Sequence, residues 1–219
     1  MPLASIVQWS WISDNRGEIG HALVQHVELS VIAVVLGLAI SVPLAVVAWR
    51  YRVARAPIVG FSGLLYTLPS IAIFGLLQPI TGFFSATTAE VALTSYTLLI
   101  LVRNIVSGLD AIPAEVRESA RAVGYTQRTQ ILRVYLPLSL PALFAGLRVA
   151  AVTVIGLVTV TAFVGQGGLG QLVFTGFSET FATPIIVGLV LSVLLAAVAD
   201  AALVLAERTV LRWDRAVAS

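Results

Sequence analysis

The chain contains no cysteine, which removes disulfides, thiolate nucleophiles and cysteine metal sites. It contains no lysine either. All 13 basic residues are arginine, so it has neither a phosphate-loop lysine nor a Schiff-base lysine. Charge is scarce as well, at 11% of residues against 58% hydrophobic, and the mean hydropathy is +0.99. Soluble enzymes and disordered chains both need far more polar surface, so this is the composition of a membrane protein. If ATP drives it, another subunit must bind the nucleotide.

What is present is a series of apolar runs. About 20 helical residues cross a bilayer, and five stretches are long enough, at about 23–49, 58–80, 91–109, 138–163 and 184–206. Pro43 is expected to kink the first. Pro69, near the middle of the second, should open its backbone ladder. Residues 1–20 hold Trp9, Trp11, Asp14, Arg16 and Glu18 without a basic start and apolar follow-on, so an exposed or interfacial lead-in is expected rather than a cleavable signal peptide.

Orientation follows from the arginines, because basic residues flanking spans stay in the cytoplasm. With the N-terminus outside and the C-terminus cytoplasmic, Arg50, Arg52, Arg55, Arg117, Arg121, Arg128, Arg133, Arg208, Arg212 and Arg215 fall inside, and only Arg16 falls outside. Trp9 and Trp11 then mark the outer interface, and Trp49 and Trp213 the inner one. That topology explains the net charge of +2 without invoking nucleic acid. The expectation is an all-α, multi-pass integral membrane protein with five transmembrane helices. Residues 1–219 form a single membrane domain without internal repeats.

The polar exception is the stretch from Asp110 to Pro141, which holds Glu115, Arg117, Glu118, Arg121, Arg128 and Arg133. Pro113 suits a helix start and Gly124 a helix end. Thr126 suits the cap of a second helix that should stop near Pro137. On the first helix Val116, Ala120 and Val123, with Ser119 beside them, form a small apolar face opposite Arg117, Glu118 and Arg121.

Read as a motif, Glu118-Ser119-Ala120, three residues, Gly124, nine residues, Val134-Tyr135-Leu136-Pro137 resembles the loop signature of permease subunits of binding-protein-dependent ABC importers. That signature has Ala where Ser119 stands and Ile where Val134 stands. His26-Val27-Glu28-Leu29-Ser30, Tyr66-Thr67-Leu68-Pro69-Ser70, Val102-Arg103-Asn104, Ala145-Gly146-Leu147-Arg148 and Gly165-Gln166-Gly167-Gly168-Leu169-Gly170 narrow the resemblance to permeases for glycine betaine, carnitine, choline and proline betaine. Related importers of methionine and other small solutes share the loop.

The resemblance implies a non-enzymatic transport subunit of a bacterial-type plasma membrane, working by alternating access. Its implied partners are a second permease, identical or paralogous, two cytoplasmic ATPase subunits and an extracytoplasmic solute-binding protein. ATP and Mg would bind in the ATPase, and this chain would hold no cofactor or metal. Glu118, Ser119, Ala120, Gly124, Leu136 and Pro137 would form an ATPase-coupling element between spans three and four. The rivals are the same architecture for methionine or another amino-acid derivative, an ATP-independent channel or secondary carrier, and a non-transporting scaffold.

Candidate translocation-path residues are Tyr66, Thr67, Pro69, Ser70, Arg103, Asn104 and Arg148. A charge at hydrocarbon depth marks either a pathway or a partner. Arg148 therefore reads as pore-lining, or as held in a structural pair or by backbone carbonyls freed by the prolines, and Asp200 is a candidate partner for it or for Arg103. Tyr66, Tyr96 and Phe74 would offer π faces to a quaternary ammonium, unless they simply pack. His21 and His26 are too far apart along a helix to be a metal pair and are expected at the surface or interface of span one. Gly165 to Gly170 lacks a following lysine and is expected to make a tight re-entrant turn on the outer side.

Overall fold

A computed structural model describes residues 7–83 and 85–211. Arg212, Trp213 and Arg215 lie outside the described residues. The described chain is helical throughout. A short lead-in helix α1 (Trp9–Asp14) precedes α2 (Arg16–Arg50), which runs unbroken through Pro43. Next come α3 (Arg52–Thr67), α4 (Ser70–Thr81), α5 (Ala86–Asp110) and α6 (Ala114–Ala122). The short α7 (Gln127–Gln130) leads through a π turn, Ile131–Tyr135, into α8 (Leu136–Val158) and a 3-10 segment, Thr159–Val164. Then follow α9 (Leu169–Ser178) and α10 (Ala182–Val210).

Among the described residues, α2, α5, the run Gln127–Val164 and α10 are each long and apolar enough to cross a membrane. The remaining expected span, at about 58–80, is where α3 and α4 meet at 100°. The sequence implied one span with an opened ladder. Instead, Leu68 and Pro69 are both extended, at ψ 135° and 130°, because a residue before proline is driven out of the helical region.

The helix α5 is the hub. Its Leu101, Val102, Ile105, Val106 and Leu109 join Ala45 and Ala48 of α2, Tyr135 and Leu143 in one buried cluster. Helices in lipid gain little from apolarity against each other and associate through close backbone approach at small residues. Here a Cβ on Gly37 would stand 1.8 Å from Thr97 Oγ1, one on Gly108 2.6 Å from Ala142 Cβ, and one on Gly146 2.7 Å from Asn104 Cβ. Those contacts seat α5 against α2 on one side and α8 on the other. The remaining faces, such as Val31 and Val35 of α2 and Val193 and Val198 of α10, are exposed and apolar.

One expected boundary is corrected. The helix that begins after Thr126 does not stop near Pro137. It continues to Val158, and its π turn carries the bond from the Leu136 N–H to the Ile131 carbonyl. Widening the coil there relieves the crowding of the proline ring against the carbonyl one turn earlier.

Candidate functional site

The polar corner is built by local rules. Pro113, at φ −57° and ψ 148°, precedes α6, and Gly124, at φ +84°, reverses the chain after it. Only glycine takes that left-handed position without cost. The Gly124 and Tyr125 N–H groups donate to Arg121 and Ala120 carbonyls at 2.9 and 3.2 Å. Thr126 caps the next helix, its Oγ1 accepting from the Thr129 N–H at 3.3 Å. Behind the turn, Gln130 Nε2 donates to the Tyr125 carbonyl at 2.8 Å, and the Tyr135 hydroxyl donates to Gln130 Oε1 at 2.7 Å.

The face that α6 turns inward differs from the expected one. Ala120 is buried, but Val123 is 71% exposed and Ser119 is exposed. Arg117, expected outside, turns in. Its guanidinium lies 5.6 Å from the Trp49 ring, and its Nη2 donates to the Leu109 and Asp110 carbonyls at 3.2 and 3.1 Å. The end of α5 presents carbonyls with no helical partner and a negative dipole end, and a guanidinium answers both. Arg55 secures the same end through Asp110, with Nη1 to Oδ2 at 2.8 Å. Glu118 and Arg121 are exposed, and Leu136 and Pro137 are half-buried in the helix past the π turn.

The path candidates do not form one cluster. Tyr66, Thr67, Pro69 and Ser70 share the α3–α4 break, where the Tyr96 hydroxyl donates to the Leu68 carbonyl at 2.6 Å and its ring meets Tyr66 edge-on at 6.1 Å. Of the two readings for the three aromatics, packing describes Tyr96 at 5% exposed and Phe74 at 1%, while Tyr66 stays open at 39%. Arg103 is exposed on α5. Asn104 donates from Nδ2 to the Ile100 carbonyl at 2.8 Å and fills the α5–α8 contact at Gly146. Arg148 makes a two-pronged bond to Asp200, Nε to Oδ1 at 2.7 Å and Nη2 to Oδ2 at 2.9 Å. This is the structural pair that the sequence left open beside the pore-lining reading.

The sequence reading missed a clamp at the opposite end of the bundle. His26, expected at the surface, is wholly buried. Its Nδ1 accepts from the Leu169 N–H at 3.2 Å, which leaves Nε2 to donate to the Ile155 carbonyl at 2.9 Å. Gln25 adds Oε1 accepting from the Gly168 N–H and Nε2 donating to Gln166 Oε1, both at 3.1 Å. Gly168 has φ +47°, and a Cβ there would lie 2.8 Å from His26 backbone atoms. The glycine turn is thus fastened to α2 by two adjacent polar side chains. The available signal was a polar pair inside an otherwise apolar span, which rarely goes unpartnered.

Apolar helices joined through small-residue contacts, with one charged corner and one interrupted span, define a multi-pass helical membrane protein. Residues 29–212 match the family described as binding-protein-dependent transport system inner membrane component, and the chain belongs to that family. It is 36% identical over 203 residues to the choline transport system permease protein OpuBB of Bacillus subtilis, covering 93% of this chain and 92% of that protein. It is 37% identical over 194 residues to the osmoprotectant import permease protein OsmW of Salmonella typhimurium, covering 87% and 90%. In fold it is similar to a chain of the MetNI methionine ABC transporter in an inward-facing conformation, with TM-score 0.76, 24% identity and coverage of 85% and 93%. An amino acid ABC transporter crystallised with histidines is similar at TM-score 0.77, 16% identity and coverage of 93% and 99%.

Proposed function

We propose that the chain forms half of the translocation path of an ATP-driven importer for a compatible solute such as glycine betaine, carnitine, choline or proline betaine. The observation that carries this reading is near full-length similarity, at 36% and 37% identity, to permeases named for choline and osmoprotectant import. The methionine and amino acid transporters resemble it at 24% and 16% identity. That level speaks for shared fold alone.

In this reading the N-terminus is outside and the α6 corner is cytoplasmic, as the arginine distribution favours. Two ATPase subunits would bind ATP and Mg, a second permease would complete the path, and an extracytoplasmic binding protein would deliver the solute. The α6 segment would act as the lever. Glu118 and Ser119 stand outward for contact, Ala120 seats the helix against the bundle, and Gly124 turns the chain directly into the helix that continues through Leu136 and Pro137. The Arg117 bonds to the end of α5 support a lever that moves with the bundle rather than as a loose loop.

The test is uptake in liposomes carrying the permease, its ATPase and its binding protein. Gly124→Pro and Ala120→Phe should insert normally yet lose ATP-coupled uptake, because one forbids the left-handed turn and the other unseats α6. Full transport by both variants would overturn the lever. Uptake by the permease without any ATPase would instead establish a channel or secondary carrier.

A further inference from the structure

Three arginines, Arg50, Arg117 and Arg121, line one cavity where α2 ends and the corner begins. A cavity of about 420 Å³ is walled by Trp49, Arg50, Arg117, Arg121 and Gln127, and it holds no carboxylate among its lining residues. Arg117 Nη2 is committed to the end of α5, but its Nε is buried and donates to no group among the described residues. Arg50, Arg121 and Arg128 have no carboxylate partner among the described residues. Asp110, whose carbonyl Arg117 binds, has its carboxylate held by Arg55. Concentrated positive charge of this kind needs an anion, and guanidinium groups suit phosphate oxygens in particular.

The cavity does not end at the polar rim. A second hollow of about 500 Å³ shares Arg50, Gln127 and Ile131 with it and is otherwise walled by Val46, Val47, Tyr51, Leu132 and Arg128. Val47 and Leu132 are exposed apolar side chains, on α2 and on the π turn. A polar, cationic chamber thus adjoins a more apolar hollow between the end of α2 and the start of the run Gln127–Val164. A free soluble anion would use the first and leave the second empty. A molecule with a phosphate at one end and an acyl chain at the other fills both.

We propose that this joint chamber and hollow is a binding site for an anionic phospholipid. The headgroup phosphate is held by Arg50 and Arg121, with the Arg117 guanidinium adding its charge in the chamber wall, and an acyl chain lies against Val47 and Leu132. Under the orientation argued above, the lipid belongs to the cytoplasmic leaflet. Because Arg117 and Arg121 are carried on α6 and Arg50 on α2, the bound lipid would bridge the corner to the first long helix. That is a role distinct from contact with an ATPase.

The experiment is native mass spectrometry of the full-length permease in detergent, titrated with phosphatidylglycerol or phosphatidylcholine. The expected result is retention of phosphatidylglycerol about tenfold more tightly than phosphatidylcholine, the preference falling to near unity in the Arg50→Gln, Arg121→Gln double variant. Arg52→Gln with Arg133→Gln removes the same charge away from the chamber and should leave the preference intact. Tryptophan-fluorescence melting of each variant separates lost binding from lost folding. Equal binding of both lipids, or equal loss in both double variants, overturns the site. Displacement of phosphatidylglycerol by equimolar glycerol 3-phosphate would assign the chamber to a soluble anion and also overturn it. So would release of the lipid when the ATPase subunits bind, which would assign the arginines to the subunit interface.

Discussion

Replacing His26 by alanine tests the clamp that fastens the glycine turn. The ring is fully buried and makes two bonds to main-chain groups, the Ile155 carbonyl and the Leu169 N–H. Removing it leaves a buried acceptor and a buried donor unpaired, each at about 1–3 kcal/mol, and adds a cavity. A loss of about 4 kcal/mol is therefore expected. For a chain of this size each kcal/mol moves the melting temperature by about 2–4 °C, so His26→Ala should melt about 8–16 °C lower when unfolding in detergent is followed by tryptophan fluorescence. His26→Gln carries an amide to roughly the position of Nε2 and should recover about half by restoring the bond to Ile155. Gly168→Ala should be damaged as badly as His26→Ala, since its Cβ would meet main-chain atoms of residue 26 at 2.8 Å and no side-chain rotation relieves that. A drop under 2 °C for His26→Ala would refute the clamp. Equal melting of the glutamine and alanine variants would refute the assignment of its stabilisation to these bonds.

The break between α3 and α4 is held by one hydroxyl, so Tyr96→Phe should cost about 1–2 kcal/mol by leaving the Leu68 carbonyl without that donor, read as a melting shift of about 2–8 °C; no shift would mean that the break is held by packing alone. Arg148 and Asp200 bond at two points across α8 and α10, so Arg148→Asp and Asp200→Arg alone should each lower the yield of folded protein from detergent, and the two together should restore it. If the double exchange is no better than the singles, the pair is not what keeps either charge in place.

Elements governed by local chemistry were readable from the sequence. Pro113, Gly124 and Thr126 each sit where proline, glycine and a capping hydroxyl belong, and the structure uses all three as expected. Long apolar runs likewise marked the four long helices, because length and hydropathy decide that matter alone. What the sequence could not show were the outcomes of competition between segments distant along the chain. Arg117 belongs by periodicity to the charged face of α6, but the open end of α5 and the Trp49 ring offer it more than water does. His26 reads as an interfacial residue until the turn 143 residues later closes over it. Phe74 and Tyr96 look available to a solute only while the 100° bend that buries them is unknown.

That bend and the π turn are two answers to the same problem, a proline inside an apolar span, and their difference has consequences for how the molecule can move. At Pro69 the chain goes extended and changes direction, so displacement of α3 need not reach α4. At Pro137 the coil only widens, and the run Gln127–Val164 stays a single helix of 38 residues, about 57 Å long at 1.5 Å per residue. One end of that run is locked to the corner by Gln130, Tyr125 and Tyr135. Toward the other end, the Ile155 carbonyl is held by His26, and the glycine turn follows directly. No loop lies between them to absorb a push. If α6 is the lever proposed above, a displacement applied there would be carried through Gly124 and along α8 toward the clamp, and the compliant element on that route would be the π turn, where the i to i+4 ladder is already relaxed.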